Sequence, residues 1–134
     1  AEAAAKSPYV PFFAIVSPPA DYTENNGKPV KAEEMDMVSR LLFMLKMHKT
    51  YPVTGTVCTG AASRVPGSVV WEVIRPEARD REVLLIGHPG GVIPVEAKAD
   101  IIDGQVKMKR IGVYRTARRI MDGYVYVRKS MFKD

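Results

Sequence analysis

The sequence predicts an α+β domain. Three observations carry that reading: apolar residues at helical spacing occur only in the first half, short β-prone runs punctuated by turn residues fill the second, and 134 residues suffice for one core. A single domain over residues 1–134 is expected, with 1–7 a linker or helix remnant and 129–134 a basic tail.

The opening AEAAAKSPYVP lacks the basic region and continuous apolar stretch of a secretory signal. FFAIVS (Phe12 to Ser17) is a β-prone run closed by Pro18 and Pro19, and DYTENNGKP is a turn-rich loop. From Lys31 to Lys49, the residues Met35, Val38, Leu41, Leu42 and Leu45 follow helical spacing. Glu33, Glu34 and Asp36 come early and Lys46, His48 and Lys49 late, as a helix macrodipole favours. The spacing predicts a helix over 31–49, with His48 complementing the dipole at its end.

A second helix is predicted in VTGTVCTGAASRVPGS, Val53 to Ser68. Between Thr54 and Val65 every residue except Arg64 is Thr, Gly, Val, Cys, Ala or Ser, so the helix is thin and admits neighbouring backbone on nearly all sides. So many Gly and β-branched residues make poor intrinsic helix, and tertiary enclosure has to supply the stability. Beyond it, VVWEVI (Val69 to Ile74), VLLIG (Val83 to Gly87), VIPVEAKA, QVKMKRIGVY and YVYVR after Asp122-Gly123 read as strands.

Composition excludes several classes. No apolar run approaches the roughly 18 residues that a membrane span requires. One cysteine cannot form an internal disulfide, which makes a reducing, cytoplasmic setting the expectation. The formal charge of +5 is concentrated late: Lys107, Lys109, Arg110, Arg115, Arg118, Arg119, Arg128, Lys129 and Lys133 face only Asp122 and Asp134 there. Interleaved with Tyr114, Tyr124 and Tyr126, this basic segment could track a phosphate backbone. No nucleic-acid module signature accompanies it, so solvated strand faces are the favoured reading. A basic rim also suits a small polycarboxylate.

Two elements could hold an anion. Thr54 as N-cap, with Gly55 and Thr56 behind it, would present free N–H groups at the positive end of a helix dipole. The turn IGHPGG gives Gly90 and Gly91 access to positive φ, and its amides can form an anion-binding concavity beside His88. Spacing alone favours the plainer alternative, in which Thr54 caps a structural helix and the turn is merely tight. Cys58, the lone thiol, could be an acid or base, a nucleophile or a small core residue. No set of His, Cys or carboxylates has metal-ligand spacing, and there is no phosphate loop or Ser-based nucleophile motif; neither metal nor cofactor is expected.

HKTYPVTGTVCTGAASRVPGSVV, IGHPGG and GVYRTARRIMDGYVYV together resemble the C-terminal half of the PrpF family, which includes 2-methylaconitate cis-trans isomerases and methylitaconate isomerases. The resemblance covers residues 8–128. It implies one half of a diaminopimelate-epimerase-like fold, a curved mixed β-sheet wrapped around a central helix, with the active site between two halves. It also implies that the family's first-half Cys-Gly-Asn motif and proton-transferring lysine are not in this chain, and that Thr54-Gly55 stands where Cys-Gly would be. On that basis the expected site is a carboxylate-binding one for a di- or tricarboxylate, formed by Thr54, Gly55, Thr56, Gly87, His88, Pro89, Gly90 and Gly91. His88 and Cys58 are the candidate acid/base groups, and Cys58 is expected to be a buried packing residue. Turnover by the chain alone is not expected. A homodimer replacing the first half is the expected assembly, with Phe43 and Leu45 at the contact. A stand-alone domain binding a small anion or protein partner is the alternative, and nucleic-acid binding the third.

Overall fold

The computed structural model describes residues 6–7, 12–44 and 46–132. It is α+β with one curled mixed sheet. The strands of that sheet are β1 (Phe13–Ser17), β4 (Met37–Phe43), β5 (Lys46–Met47), β6 (Val83–His88), β7 (Gly91–Ile102) and β8 (Gln105–Val113). Their order is β1-β4-β6-β7-β8, with β5 paired to Leu42 and Phe43 of β4. All pairings are antiparallel except β4 with β6. A small hairpin, β2 (Tyr22–Thr23) with β3 (Pro29–Val30), stands apart from it. Two helices follow β5: α1 (Val53–Ala62) and the short α2 (Val69–Val73).

Because strand side chains alternate, one face of the sheet collects Met37, Leu84, Ile86 and Val95, which form a buried core with Ile74 and Ala78. Val16, Ile93, Ile111 and Val113 extend it on neighbouring strands. At about 1.5–3 kcal/mol for each large apolar side chain fully removed from water, this face is the main stabilising element. Helix α1 lies against it. A Cβ on Gly60 would sit 2.8 Å from Val95 Cγ2, and one on Gly55 would collide with the Leu41 side chain. Only glycine at these two positions lets the helix backbone approach so closely.

The expected helix over 31–49 is not formed. A 3-10 turn at Ala32–Glu34 is all that the acidic start produces, and Met37 to Phe43 is instead a central strand. Met37, Ser39 and Leu41 point inward, a period of two. Ser39 disguised that alternation. It is buried because its hydroxyl pairs with Tyr51 OH at 2.7 Å, which in turn pairs with Thr59 Oγ1 of α1 at 2.9 Å. Asp36, expected to favour a helix dipole, is buried, accepts Leu85 N–H at 2.8 Å and pairs with Arg81. His48 therefore ends a strand connection rather than a helix. Leu45 lies outside the described residues, as does most of the 1–7 segment.

Two further expectations change. VVWEVI forms α2 rather than a strand, because Gly67 turns the chain at φ +78° and the Ser68 hydroxyl caps the new helix by accepting Trp71 N–H at 3.1 Å. YVYVR forms no strand and pairs with none among the described residues. The β1, β6, β7 and β8 runs are formed where the sequence places strands.

Candidate functional site

The β6–β7 hairpin reverses at Pro89 and Gly90, so His88 pairs directly with Gly91. Gly91 takes φ +124°, a conformation that side-chain-bearing residues rarely adopt. Three outside contacts fix this turn: Asn25 N–H donates to Pro89 O at 2.8 Å, Tyr22 OH to Gly91 O at 2.5 Å and Arg40 Nη1 to Gly87 O at 3.3 Å, while Asn25 Nδ2 also donates to Lys49 O at 2.6 Å. Arg40 also lies over the Tyr22 ring, 4.6 Å from its centroid.

His88 is 7 % exposed. Its Nδ1 accepts Gly90 N–H at 3.1 Å, which leaves the proton of the neutral ring on Nε2. Burial first, then the positive charge of Arg40 and the proximity of His48, hold its pKa below the ordinary histidine value. The ring is neutral at pH 7, and Nε2–H has no hydrogen-bond acceptor among the described residues. A buried imidazole with one end fixed and the other unused is a positioned donor.

The start of α1 lies at the same end of the domain. The chain from β5 runs through His48 and Thr50 past the turn: the Tyr51 and His88 rings are 6.1 Å apart, and a Cβ on Gly90 would lie 3.3 Å from Thr50 Cγ2. His48 is held like His88, its Nδ1 accepting Thr50 N–H at 3.1 Å. His48 and Thr54 then line one cleft of about 160 Å³ with Phe12, Phe43 and Pro52. Thr50 and Tyr51, just ahead of α1, thus lie beside the GHPGG turn, while the cleft that holds Thr54 is lined by no residue of the turn itself. Larger clefts at the other end of α1 are lined by residues 79–82 and Arg64 and contain none of the expected site residues.

Individual roles differ from expectation. The N-cap of α1 is Pro52, not Thr54, so the helix starts without a side-chain cap and the first-turn N–H groups have no capping acceptor. Thr54 sits inside the first turn, exposed. Gly55 is buried against Leu41, and Thr56 is fully buried with its hydroxyl donating to Pro52 O at 3.0 Å, so neither presents a side chain to the cleft. Cys58 is exposed, not buried: α1 buries Gly55, Thr56, Thr59 and Gly60, and leaves a Thr54–Cys58 stripe open. The helix is enclosed on one side rather than on nearly all sides. Sequence reasoning missed His48, Thr50 and Asn25 at this end; the misplaced helix over 31–49 carried His48 away from α1. Among the described residues, no three His, Cys, Asp or Glu side chains gather as a metal site, and no helix is long and apolar enough to cross a membrane.

The arrangement offers N–H donors to an anion: Nε2 of His88, the amides opening α1, and the imidazole of His48. It offers few groups able to remove a proton from carbon.

Comparison with known proteins agrees with this fold. The chain is 47% identical over 130 residues to the 3-methylitaconate isomerase of Eubacterium barkeri, and 34% identical over 129 residues to the 2-methyl-aconitate isomerase of Cupriavidus necator. Each match takes in 96% of this chain but only 33% and 32% of the relative, so the chain spans about a third of their length. A crystal structure of methylitaconate-delta-isomerase superposes with a TM-score of 0.75 at 48% identity, covering 96% of this chain and 32% of that one. The family model described as PrpF protein matches residues 1–128, and the chain belongs to the PrpF family.

Proposed function

We propose that this chain is the carboxylate-binding portion of a PrpF-type isomerase, one lobe of a diaminopimelate-epimerase-like fold. Its ligand is a di- or tricarboxylate of the kind named in its relatives. The observation that carries the reading is the free Nε2–H of buried His88 at the same end as the uncapped start of α1. Allylic isomerisation removes a proton from one carbon, shifts the double bond and returns a proton at the far carbon, with no change of oxidation state. Negative charge spreads onto the adjoining carboxylate as the first proton leaves, and fixed N–H donors there stabilise it. The proton carrier itself comes from the remainder of the enzyme. Neutral His88 already uses Nδ1 to accept Gly90 N–H, so it holds the carboxylate and does not abstract the proton.

Three of the nine late cations already have an acidic partner, Lys109 with Asp100 at 3.1 Å, Arg110 with Glu96 at 2.6 Å and Arg119 with Asp122 at 3.4 Å, and with no nucleic-acid module signature beside them a small anion is favoured over nucleic acid. Titration calorimetry of the chain with methylitaconate and with 2-methylaconitate tests the reading. Binding weakened at least about tenfold by His88→Ala, with no isomer formed, is the expected result. Equal affinity in parent and variant would overturn the carboxylate role, and turnover abolished by His88→Ala would overturn the non-catalytic one.

A further inference from the structure

Strands β4 and β6 pair through Met37 with Ile86 and Val38 with Gly87, and there the ladder stops. His88 and the turn it opens stand beyond that end, so backbone pairing to β4 does not hold them. Arg40 takes over at this point. Its Nη1 donates to Ser39 O of β4 at 2.9 Å and to Gly87 O of β6 at 3.3 Å, bridging the two strands just past their last pair. The guanidinium lies over the Tyr22 ring, and the same ring packs on Gly87, where a Cβ would come within 3.1 Å of Tyr22 Cε1. Tyr22 OH then holds Gly91 O, and Asn25 N–H holds Pro89 O. The carbonyls of residues 87, 89 and 91 are thus each held from outside the turn, one by β4 and two by the β2–β3 hairpin.

Arg40 acts from behind the sheet. Ser39 and Leu41 are buried on the core face, so Arg40 between them faces the other way, toward Tyr22. His88 lies on the α1 face: its ring is 6.1 Å from that of Tyr51, whose hydroxyl pairs with Thr59 of the helix. Arg40 therefore reaches His88 only through the Gly87 carbonyl and through its charge. Around the His88 ring, the titratable and charged groups are Arg40 from β4, Tyr22 and Glu24 from the β2–β3 hairpin, His48 after β5 and Tyr51 before α1. Burial most of all, then Arg40, and with them His48, oppose a proton on the ring, while Glu24 favours one. Burial also raises the pKa of the Tyr22 phenol, so Tyr22 stays a donor to Gly91 O.

We infer that Arg40, seated on Tyr22, is a positioning residue that fixes the strand end bearing His88 and so keeps the Nε2–H donor aimed at the ligand. The inference rests on the carboxylate reading of His88. A ring already fixed loses little freedom when a carboxylate docks, whereas a loose one has to be ordered at the expense of affinity.

Two readouts on the 134-residue chain test it: the His88 ring titration followed by NMR, and methylitaconate binding followed by calorimetry. Arg40→Met keeps most of the stem and removes both the donors and the charge. The His88 midpoint should then rise, because one of the groups opposing the proton is gone. Affinity for methylitaconate should fall about fivefold or more, as the ring loses its preorganisation. Arg40→Lys, which restores the charge and a donor, should return the midpoint toward that of the parent and recover part of the affinity. A merely structural role would lower the melting temperature of Arg40→Met and leave the His88 titration unmoved, and that result would overturn the inference. A raised midpoint with unchanged affinity would overturn it as well, since the ligand would then gain nothing from the positioning. Should Arg40→Met not fold, Arg40→Gln removes the charge while keeping an amide donor, and an unmoved midpoint there has the same force. A parent chain that does not bind methylitaconate would overturn the carboxylate reading and this inference with it, whereas a parent that binds and an Arg40→Met variant that matches it in both readouts would overturn the inference alone.

Discussion

Arg64 follows α1 and is buried at 8 % exposure, a charged side chain in a place where charge is costly. Its guanidinium donates to three backbone carbonyls: Ala97 O of β7 at 2.8 Å, Ala78 O at 2.7 Å and Arg79 O at 2.6 Å. It thereby ties the C-terminal end of α1 to the sheet and to the 3-10 turn Pro76–Ala78. Arg64→Met keeps most of the apolar stem and removes the donors. Each carbonyl left without a partner costs about 1–3 kcal/mol, with the low end applying where water enters from the adjoining cleft. Release of a desolvated cation, one of whose nitrogens has no partner among the described residues, offsets part of this. The net expectation is a loss of about 3 kcal/mol. At roughly 3–4 °C per kcal/mol for a chain of this length, the melting temperature falls by about 10 °C. Urea unfolding followed by circular dichroism measures it, with Arg79→Met as the comparison. Arg79 stacks its guanidinium 3.7 Å from the Trp71 ring centroid, and its loss should cost about 1 kcal/mol or less. A loss below about 1 kcal/mol for Arg64→Met, or equal losses for both variants, would show that the three carbonyl contacts do not hold the helix end.

Two other outcomes follow from the site. Burial holds the folded-state pKa of His88 below its unfolded value, so the unfolded chain takes up the proton first: His88 contributes stability above the unfolded value of about 6.5 that is lost as pH falls through it toward the depressed folded value. His88→Gln should flatten that part of the stability–pH curve, and an unchanged slope between pH 7 and 5 would refute the burial argument. Cys58 should react with a thiol reagent about as fast in the native chain as in denaturant, and Cys58→Ser should shift stability by no more than about 0.5 kcal/mol; labelling that requires denaturant would contradict the open stripe on α1.

What the sequence made legible was local. The thin helix could be read because nearly every residue from Thr54 to Val65 is small, and the GHPGG hairpin because its turn residues allow little else. The failures came where tertiary partners overrode local signals. Ser39 hides the alternation of β4, since its burial depends on Tyr51 and Thr59, far away in the chain. Val69 to Val73 are strand formers held helical by the cap at Ser68. Cys58 was expected inside because its neighbours are small, yet small residues show only that a helix can be approached closely, not from which side. His48 was legible only once β4 was known to be a strand, because a helix there would have ended with His48 directed elsewhere.

The two ends of α1 differ in a way that decides between them as a binding site. At the C-terminal end, Ser63 Oγ donates to Gly60 O at 2.7 Å, Ser68 Oγ to Ala62 O at 2.7 Å, and Arg64 gathers three carbonyls from two segments. The two donors there without partners, Arg64 Nη2 and Arg79 Nε, are closed off from solvent, so no ligand can reach them without the structure opening. At the N-terminal end the position is reversed. Pro52 supplies no side-chain cap, and the free donor of His88 is not among the sealed ones. An unmade hydrogen bond sealed in the interior is a cost the fold carries, whereas one held rigidly at an opening is capacity for a ligand. The size of the clefts points the other way, since the larger ones surround Arg79 to Glu82. Those walls are lined by side chains already committed to each other, as Lys98 is to Glu82 at 2.5 Å. Donors that are open and uncommitted outweigh volume, and they favour the His88 end of α1 over the larger clefts for the carboxylate proposed above.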